Sequence, residues 1–355
     1  MILLDSTKKV RILGSGLIGT SIALALSAHG IRVRMVDSDL DRAALAQDLV
    51  GESSGEEADL VIFALPTSRL AQVIRGEFAL NPEATFIDIG STKTKPLAEI
   101  EAISGMSLRF CGTHPMAGRE IGGPEGARAD LFAGRPWIYT PTELTAPDVL
   151  SMVLALIDLL GGTPIRMSSQ EHDSAVALVS HLPQISASLL AKELIDAPES
   201  WLAIAGQGLR DSTRIAGSDP QLWREIIEFN RAEILPLLKK MQVDLNSLIE
   251  EIGDGDSVAT FIAQGQEGRA RIPGKHGGIP RDYFYLPIVI EDKPGQLSNL
   301  FQECERAEVN IEDLSIEHSP GQFTGLITLA LSKNDAEKLA RHLEMHGWNV
   351  HLPKR

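Results

Sequence analysis

Cysteine is scarce in this chain. Its 355 residues hold two, Cys111 and Cys304, far apart in sequence. That excludes a disulfide framework, argues against a metal site built on cysteine, and fits a reducing cytosol. Basic charge is short as well: 33 Lys and Arg stand against 48 Asp and Glu, for a net charge of -15. Nucleic acid and anionic membrane are therefore poor partners. The N-terminus runs straight into a strand pattern, so no signal peptide is expected. No apolar run suggests a membrane span, and a cytoplasmic location is expected. What is present is ordinary globular composition, with 43% hydrophobic and 23% charged residues. The length suits two or three domains.

The clearest local signal lies near the start. An apolar run at 10–13 leads into Gly14-Ser15-Gly16-Leu17-Ile18-Gly19, then a helical pattern at 20–29, then a second strand at 31–36 ending in Asp37. Strand, GxGxxG, helix, strand and a following acid is the dinucleotide-binding arrangement. Gly14 makes the tight turn, Gly16 lets the backbone approach a pyrophosphate, and Gly19 lets helix pack on strand. The helix N-terminus, with Leu17 and Ile18, offers free N–H groups to phosphate. Asp37 would accept hydrogen bonds from both ribose hydroxyls and repel a 2′-phosphate, which favours NAD over NADP.

Further strands are expected at 60–65, 85–89, 109–112 and 136–141, with parallel-sheet character. In such sheets ligands sit beyond the carboxyl ends of the strands. Pro66-Thr67, Ser91-Thr92-Lys93 and Thr113-His114-Pro115 would then face one crevice. Gly112-Thr113-His114-Pro115-Met116-Ala117-Gly118 reads as a shaped loop, with two glycines and a proline in seven residues. His114 is either the chemical group of that crevice or a satisfied structural histidine. Ser91 is either functional or part of a helix N-cap.

From Ser169 the strand signals stop. A long apolar helix is expected over 171–195, kinked by Pro183, and another over 219–252, opened by Pro220 at its first position. This block is expected to form a homodimer, the alternative being packing on its own domain. Arg210 and Arg214 flank a polar turn, as surface charges or as a bidentate carboxylate clamp.

Taken together, these residues resemble the prephenate and arogenate dehydrogenases of tyrosine biosynthesis. The resemblance rests on GTHPMAG with Glu120, on Gly123-Pro124 and Asp130-Leu131-Phe132-Ala133-Gly134-Arg135, and on Glu171-His172-Asp173. It rests also on Ser180-His181-Leu182-Pro183, and on Asp211-Ser212-Thr213-Arg214-Ile215-Ala216 with Ser218-Asp219-Pro220 and Trp223. It covers about 9–260. It implies an NAD-dependent oxidoreductase that takes hydride from C4 of a cyclohexadiene and releases its C1 carboxylate as carbon dioxide. By resemblance His114 accepts the C4 hydroxyl proton, and Ser91 positions it. Arg214 grips a substrate carboxylate, Glu120 and Asp173 orient that network, Trp223 packs nearby, and His181 lies beside the site. Pro66 and Thr67 join the cofactor residues. One departure stands out: many prephenate-using members read Ser-His-x-Pro-His, whereas this chain has Gln184 in the last place. A neutral side chain there suits arogenate, so arogenate or dual use is the alternative to prephenate.

The segment 264–282 is rich in Gly, Pro and basic residues and reads as a linker. After it come strand, helix, strand, hairpin at 319–322, strand, helix and strand, a ferredoxin-like βαββαβ order. With Asp292-Lys293-Pro294-Gly295-Gln296-Leu297 it resembles an ACT domain, which implies an amino-acid effector, here tyrosine. Asp292, Gly295, Gln296 and Asn310 are its candidate ligands. Domains are thus expected at 1–168 (α/β Rossmann), 169–268 (all-α, substrate and dimerisation), 269–282 (linker) and 283–355 (regulatory). A β-hydroxyacid dehydrogenase would need a catalytic lysine on the helical domain, in whose first half Lys192 is the only lysine. An NAD-sensing amino-acid-binding protein would not need His114, Ser91 and Arg214 together. His29, His172, His276, His318, His342, His346 and His351 suggest no chemistry, and no metal is expected.

Overall fold

The computed structural model describes residues 4–53, 55–119, 121–272, 283–318 and 323–354. The chain divides into two compact units, Met1–Asp244 and Leu245–Arg355.

The first unit is built on a seven-stranded sheet. Its strands are β1 (Lys9–Leu13), β2 (Arg32–Val36), β3 (Leu60–Phe63), β4 (Thr85–Asp88), β5 (Phe110–Pro115), β6 (Pro136–Thr140) and β7 (Thr163–Arg166). They lie in the order β2-β1-β3-β4-β5-β6-β7. Every neighbouring pair is parallel except β5–β6. Helices α1 (Leu17–Ala28), α2 (Leu40–Val50), α3 (Leu70–Leu80), α4 (Thr94–Glu101), α5 (Met106–Arg109) and α6 (Pro147–Leu159) make the connections. β3 and β4 are buried along their whole length. They need covering on both faces, as parallel strands do. One core holds Ile22, Leu26 and Ile12 with Val149, Val153 and Ile157 of α6. The other holds Phe63 and Phe86 with Leu70, Ile74 and Ile100. Each such side chain contributes about 1.5–3 kcal/mol by leaving water.

Two expectations about this sheet need correction. The stretch from Gly112 to Pro115 is strand, not loop: it pairs residue by residue with 137–140. Its glycine answers to packing rather than to a turn, because a Cβ at Gly112 would lie 2.6 Å from Thr140 Oγ1 and 3.0 Å from Lys93 Cδ. Pro115 is tolerated as the last residue of the strand. The β5–β6 pairing is antiparallel, and β7 carried too short an apolar run to be read.

The helices α7 (Ser169–Val176), α8 (Leu182–Lys192), α9 (Glu199–Leu202), α10 (Gln207–Thr213), α11 (Pro220–Phe229) and α12 (Arg231–Glu251) follow. Ser168 starts α7 with a reciprocal capping box to Glu171. Pro183 does not break the run. A π-turn at Ala177–His181 precedes it, and Pro183 falls in the first turn of α8, directly after that widened turn. Ser169–Lys192 is therefore one continuous helical segment, long and apolar enough by composition to cross a membrane, contrary to the reading of the sequence. It nevertheless carries the buried polar residues His172, Asp173, His181 and Gln184. The stretch 219–252 is two helices, parted at Asn230. The asparagine's buried side chain donates to the Asp173 carbonyl at 2.8 Å and meets His181 Nδ1 at 3.0 Å. A tertiary contact thus takes the place of helix continuity.

In the second unit α13 (Gly255–Ala270) is helical through 264–270, where a linker was expected. The residues 273–282 lie outside those described. The rest runs β8 (Phe284–Glu291), α14 (Gln296–Arg306), β9 (Asp313–His318), β10 (Thr324–Leu331), α15 (Lys333–Met345) and β11 (Asn349–Val350). Its four strands order as β11-β8-β10-β9 with antiparallel neighbours. Leu300, Cys304, Leu339 and Leu343 of the helices pack on Leu286, Ile288, Ile327 and Leu329 of the sheet. The hairpin expected at 319–322 lies outside the described residues. On the helix layer Glu303, His342 and His346 bring ligand-type atoms within 4.8 Å. The carboxylate there is already paired with Arg306 and His342.

Candidate active site

The dinucleotide turn has the shape its glycines require. Gly14 sits at φ +111°, and a Cβ on it would lie 2.1 Å from the Ala64 carbonyl oxygen. A Cβ on Gly19 would lie 2.2 Å from the Gly14 carbonyl oxygen, so helix and strand touch there. Around Gly16 the space within 4 Å of a would-be Cβ is open. Gly16 caps α1 with no side-chain hydrogen bond, leaving the first-turn N–H groups to a ligand. The Ser15 hydroxyl is buried without a partner. Asp37 accepts the N–H of Ser15 at 2.7 Å and of Asp39 at 3.0 Å, which ties the acid to the turn. An open cradle, free helix N–H groups and an orphaned hydroxyl fit the diphosphate of NAD.

Beside it the strand ends converge. A Cβ at Gly90 would meet Thr67 Oγ1 at 2.9 Å and Asp88 Oδ2 at 3.0 Å, so the ends of β3 and β4 touch just beyond the sheet. Asp88 and Lys93 form a fully buried ion pair under the site. Ser91 is half-buried on the loop between them.

His114, on the end of β5, is half-buried. Its Nδ1 lies 2.8 Å from His172 Nε2. His172 Nδ1 lies 2.8 Å from Asp173 Oδ1. Asp173 in turn accepts the backbone N–H of Lys93 at 2.7 Å and of Thr94 at 2.8 Å, at the N-terminus of α4. This chain of contacts joins β5, α7 and α4. Burial chiefly drives the His114 pKa well below the ordinary histidine value, and the neighbouring His172, Lys93 and His181 push the same way. His172 is lowered too, mainly by burial and against the pull of Asp173. Burial brings His181 to about 4. Asp173 stays below the usual carboxylate range: burial pushes it up, but the hydrogen bonds from His172, Thr94 and Lys93 outweigh that. Neutral imidazoles and an ionised carboxylate result, which suits proton acceptance at neutral pH.

The other expected residues distribute around this line. His181 sets its ring against Trp223, centroids 5.9 Å apart, and its Nδ1 against Asn230. Gln184 is buried, accepts from Ser218 Oγ at 3.3 Å and reaches Ser188 Oγ at 3.4 Å. Arg214 is exposed on the 3-10 turn Arg214–Gly217, which leads directly to Ser218. Glu225 on α11 accepts the Ser68 N–H at 2.6 Å, tying the helices to the loop after β3. Glu120 lies outside the described residues. Reading the sequence missed His172, Asn230 and the Asp88–Lys93 pair. His172 stood in plain view beside Asp173, but nothing in one dimension says that α7 meets β5.

Residues 22–165 match the family described as "Prephenate dehydrogenase, nucleotide-binding domain", and residues 168–263 match "Prephenate dehydrogenase, dimerization domain". "Probable prephenate dehydrogenase NovF" of Streptomyces niveus is 30% identical, covering 95% of this chain and 98% of its own. The chain belongs to the prephenate dehydrogenase family. Among solved structures, prephenate dehydrogenase from Aquifex aeolicus, in complex with hydroxyphenyl propionate and NAD+, is 29% identical with a TM-score of 0.68. That likeness covers 75% of this chain and 98% of the other. Synechocystis arogenate dehydrogenase is 26% identical with a TM-score of 0.62, over 74% of this chain and 98% of its own. Membership of this family makes the chain an NAD-dependent oxidoreductase with an α/β dinucleotide domain and a helical dimerisation domain.

Proposed function

We propose that this chain oxidises prephenate at C4 with NAD and releases the C1 carboxylate as carbon dioxide, giving 4-hydroxyphenylpyruvate for tyrosine biosynthesis. The observation that carries this reading is His114, half-buried at the carboxyl end of β5 on the same edge of the sheet as the dinucleotide turn, with its pKa pushed well below that of a free histidine. Its Nδ1 is taken by His172, which leaves Nε2 for the substrate. Bound NAD supplies the hydride acceptor, and the remaining tasks fall to the protein. His114 accepts the C4 hydroxyl proton as hydride leaves. Ser91, on the loop after β4, positions the hydroxyl. Arg214 grips a substrate carboxylate, a role that the family resemblance assigns together with Glu120. Trp223 backs His181, and Pro66 and Thr67 would join the residues that hold the cofactor. The family's dimerisation domain supports a homodimer through the helices. The test is product analysis: prephenate and NAD incubated with the purified chain should yield 4-hydroxyphenylpyruvate by mass spectrometry. Recovery of unreacted prephenate would overturn the reading.

Arogenate is the second reading, and Gln184 favours it. The residue is buried and neutral, held by Ser218 and Ser188. Prephenate carries a keto acid in its side chain, and arogenate carries an ammonium. Gln184→His should raise the prephenate-to-arogenate ratio of kcat/KM by about tenfold, the scale of one charged hydrogen bond. An unchanged ratio would remove Gln184 from specificity.

The βαββαβ unit at 283–354 supports a regulatory ACT-like domain that binds tyrosine. A cavity of about 350 Å³ lies at the β8–α14 turn, lined by Asp292, Lys293, Gly295 and Gln296 with Ile290, Leu297, Ile316 and Ile327. Polar groups on one side and an apolar floor on the other suit an amino acid with a large side chain. Three of the four expected ligands line this cavity. Asn310 does not, and its amide bonds Glu312 instead. Tyrosine should inhibit turnover saturably, and Asp292→Ala should lose that inhibition. Turnover indifferent to tyrosine at millimolar concentration would contradict the regulatory role.

A further inference from the structure

We infer that His172 and Asp173 are positioning residues that fix His114 in the one tautomer able to accept the substrate's proton. The inference rests on the proposed role of His114 and deepens it. It follows from counting donors and acceptors along the chain of contacts. Asp173 is ionised and can only accept. Its two oxygens already take the N–H groups of Lys93 and Thr94, so the carboxylate is pinned to the start of α4. The hydrogen bond at 2.8 Å to His172 Nδ1 must therefore carry its proton on His172. His172 is buried and neutral, so its Nε2 is bare and can only accept. His114 Nδ1, 2.8 Å away, must then be the donor. A neutral His114 with its proton on Nδ1 has a bare Nε2.

Each step leaves one choice. The fixed end is backbone, and the free end is the nitrogen offered to the substrate. Without the relay the neutral ring of His114 would distribute between both tautomers, and the one with a proton on Nε2 would present a donor to a donor. Burial outweighs the charges nearby. Lys93, itself paired with Asp88, disfavours a positive charge on His114 and His172, as His181 does on His114, while Asp173 and Asp88 pull the other way on His172 without prevailing. The rings of His114 and His172 meet edge to face, with centroids 5.1 Å apart, so neither can flip without breaking the line.

The assignment is testable without turnover. Long-range nitrogen–proton spectra of protein labelled with 15N-histidine separate the two tautomers, and His114→Asn identifies the His114 signal by its loss. Both His114 and His172 should show the proton on Nδ1. A proton on Nε2 of His114 in the free enzyme would overturn the inference and leave the oxidoreductase reading standing.

Substitution supplies the second arm. His172→Phe keeps the ring volume and removes both hydrogen bonds. It should lower kcat about tenfold to a hundredfold, with little change in KM or in NAD affinity. His172→Gln places an amide oxygen near the Nε2 position, within reach of His114, and should recover most of that loss. His172→Asn places its amide near the Nδ1 position, within reach of Asp173 only, and should not recover it. Equal activity of the Gln and Asn variants, or rescue by Asn alone, would reduce His172 to packing. Loss of all turnover in the unmodified enzyme would instead strike the reading of His114 itself.

Discussion

Replacing His114 with Asn should cut kcat by about a thousandfold, within the range that a positioned proton acceptor contributes. Asparagine keeps a short polar side chain at a strand end and preserves the β5–β6 pairing, so the fold should survive. It cannot offer the bare ring nitrogen that a departing hydroxyl proton needs. NAD should bind as before, because the cradle at Gly14–Gly19 shares no side chain with His114. The measurements are steady-state turnover and NAD binding by fluorescence or calorimetry. A variant that keeps turnover would move the proton acceptor elsewhere; one that loses NAD binding as well would show that the substitution disturbs more than the chemistry.

The glycine turn provides the second large effect, and it separates two jobs that the GxGxxG pattern merges. Gly14→Ala should destabilise the fold by about 3 kcal/mol or more, because it combines strained backbone with an overlap in a packed turn. The new methyl would sit 2.1 Å from the Ala64 carbonyl oxygen, at a φ of +111°. Gly16→Ala should leave stability within about 0.5 kcal/mol, since the space is open and the backbone lies at φ -79°. It should nonetheless weaken NAD at least about tenfold, by putting a methyl where the pyrophosphate approaches the backbone. Denaturant melts should therefore separate the two variants, and NAD titration of Gly16→Ala should show lost affinity at unchanged stability. Unchanged NAD affinity in Gly16→Ala would mean that the cradle lies elsewhere.

The sequence was read best where chemistry is local. The turn at Gly14, Gly16 and Gly19 and the acid at the end of β2 are set by neighbours within a few residues. It was read less well where long-range contact decides. Gly112 and Pro115 look like turn residues until β6 pairs beside them and Thr140 fills the space over Gly112. The break at Asn230 has no local cause that propensity reveals: its side chain serves Asp173 and His181, more than forty residues back. Pro183 announced a kink, and a π-turn absorbed it. The histidine proposed here as proton acceptor stood out by its place at a strand end and by resemblance to the family. The residues behind it were not, because a relay through three elements has no spacing in the chain. His172 therefore looked idle in the sequence and stands in the middle of the site.

Oxidation and decarboxylation are proposed to occur together at His114. The most direct measurement follows NADH and carbon dioxide released by the purified protein, with prephenate and arogenate in parallel, in the unmodified chain and in His114→Asn. The expected result is one carbon dioxide per NADH with at least one of the two substrates, and the loss of both signals together in the variant. NADH without carbon dioxide, or no reaction with either substrate, would contradict it.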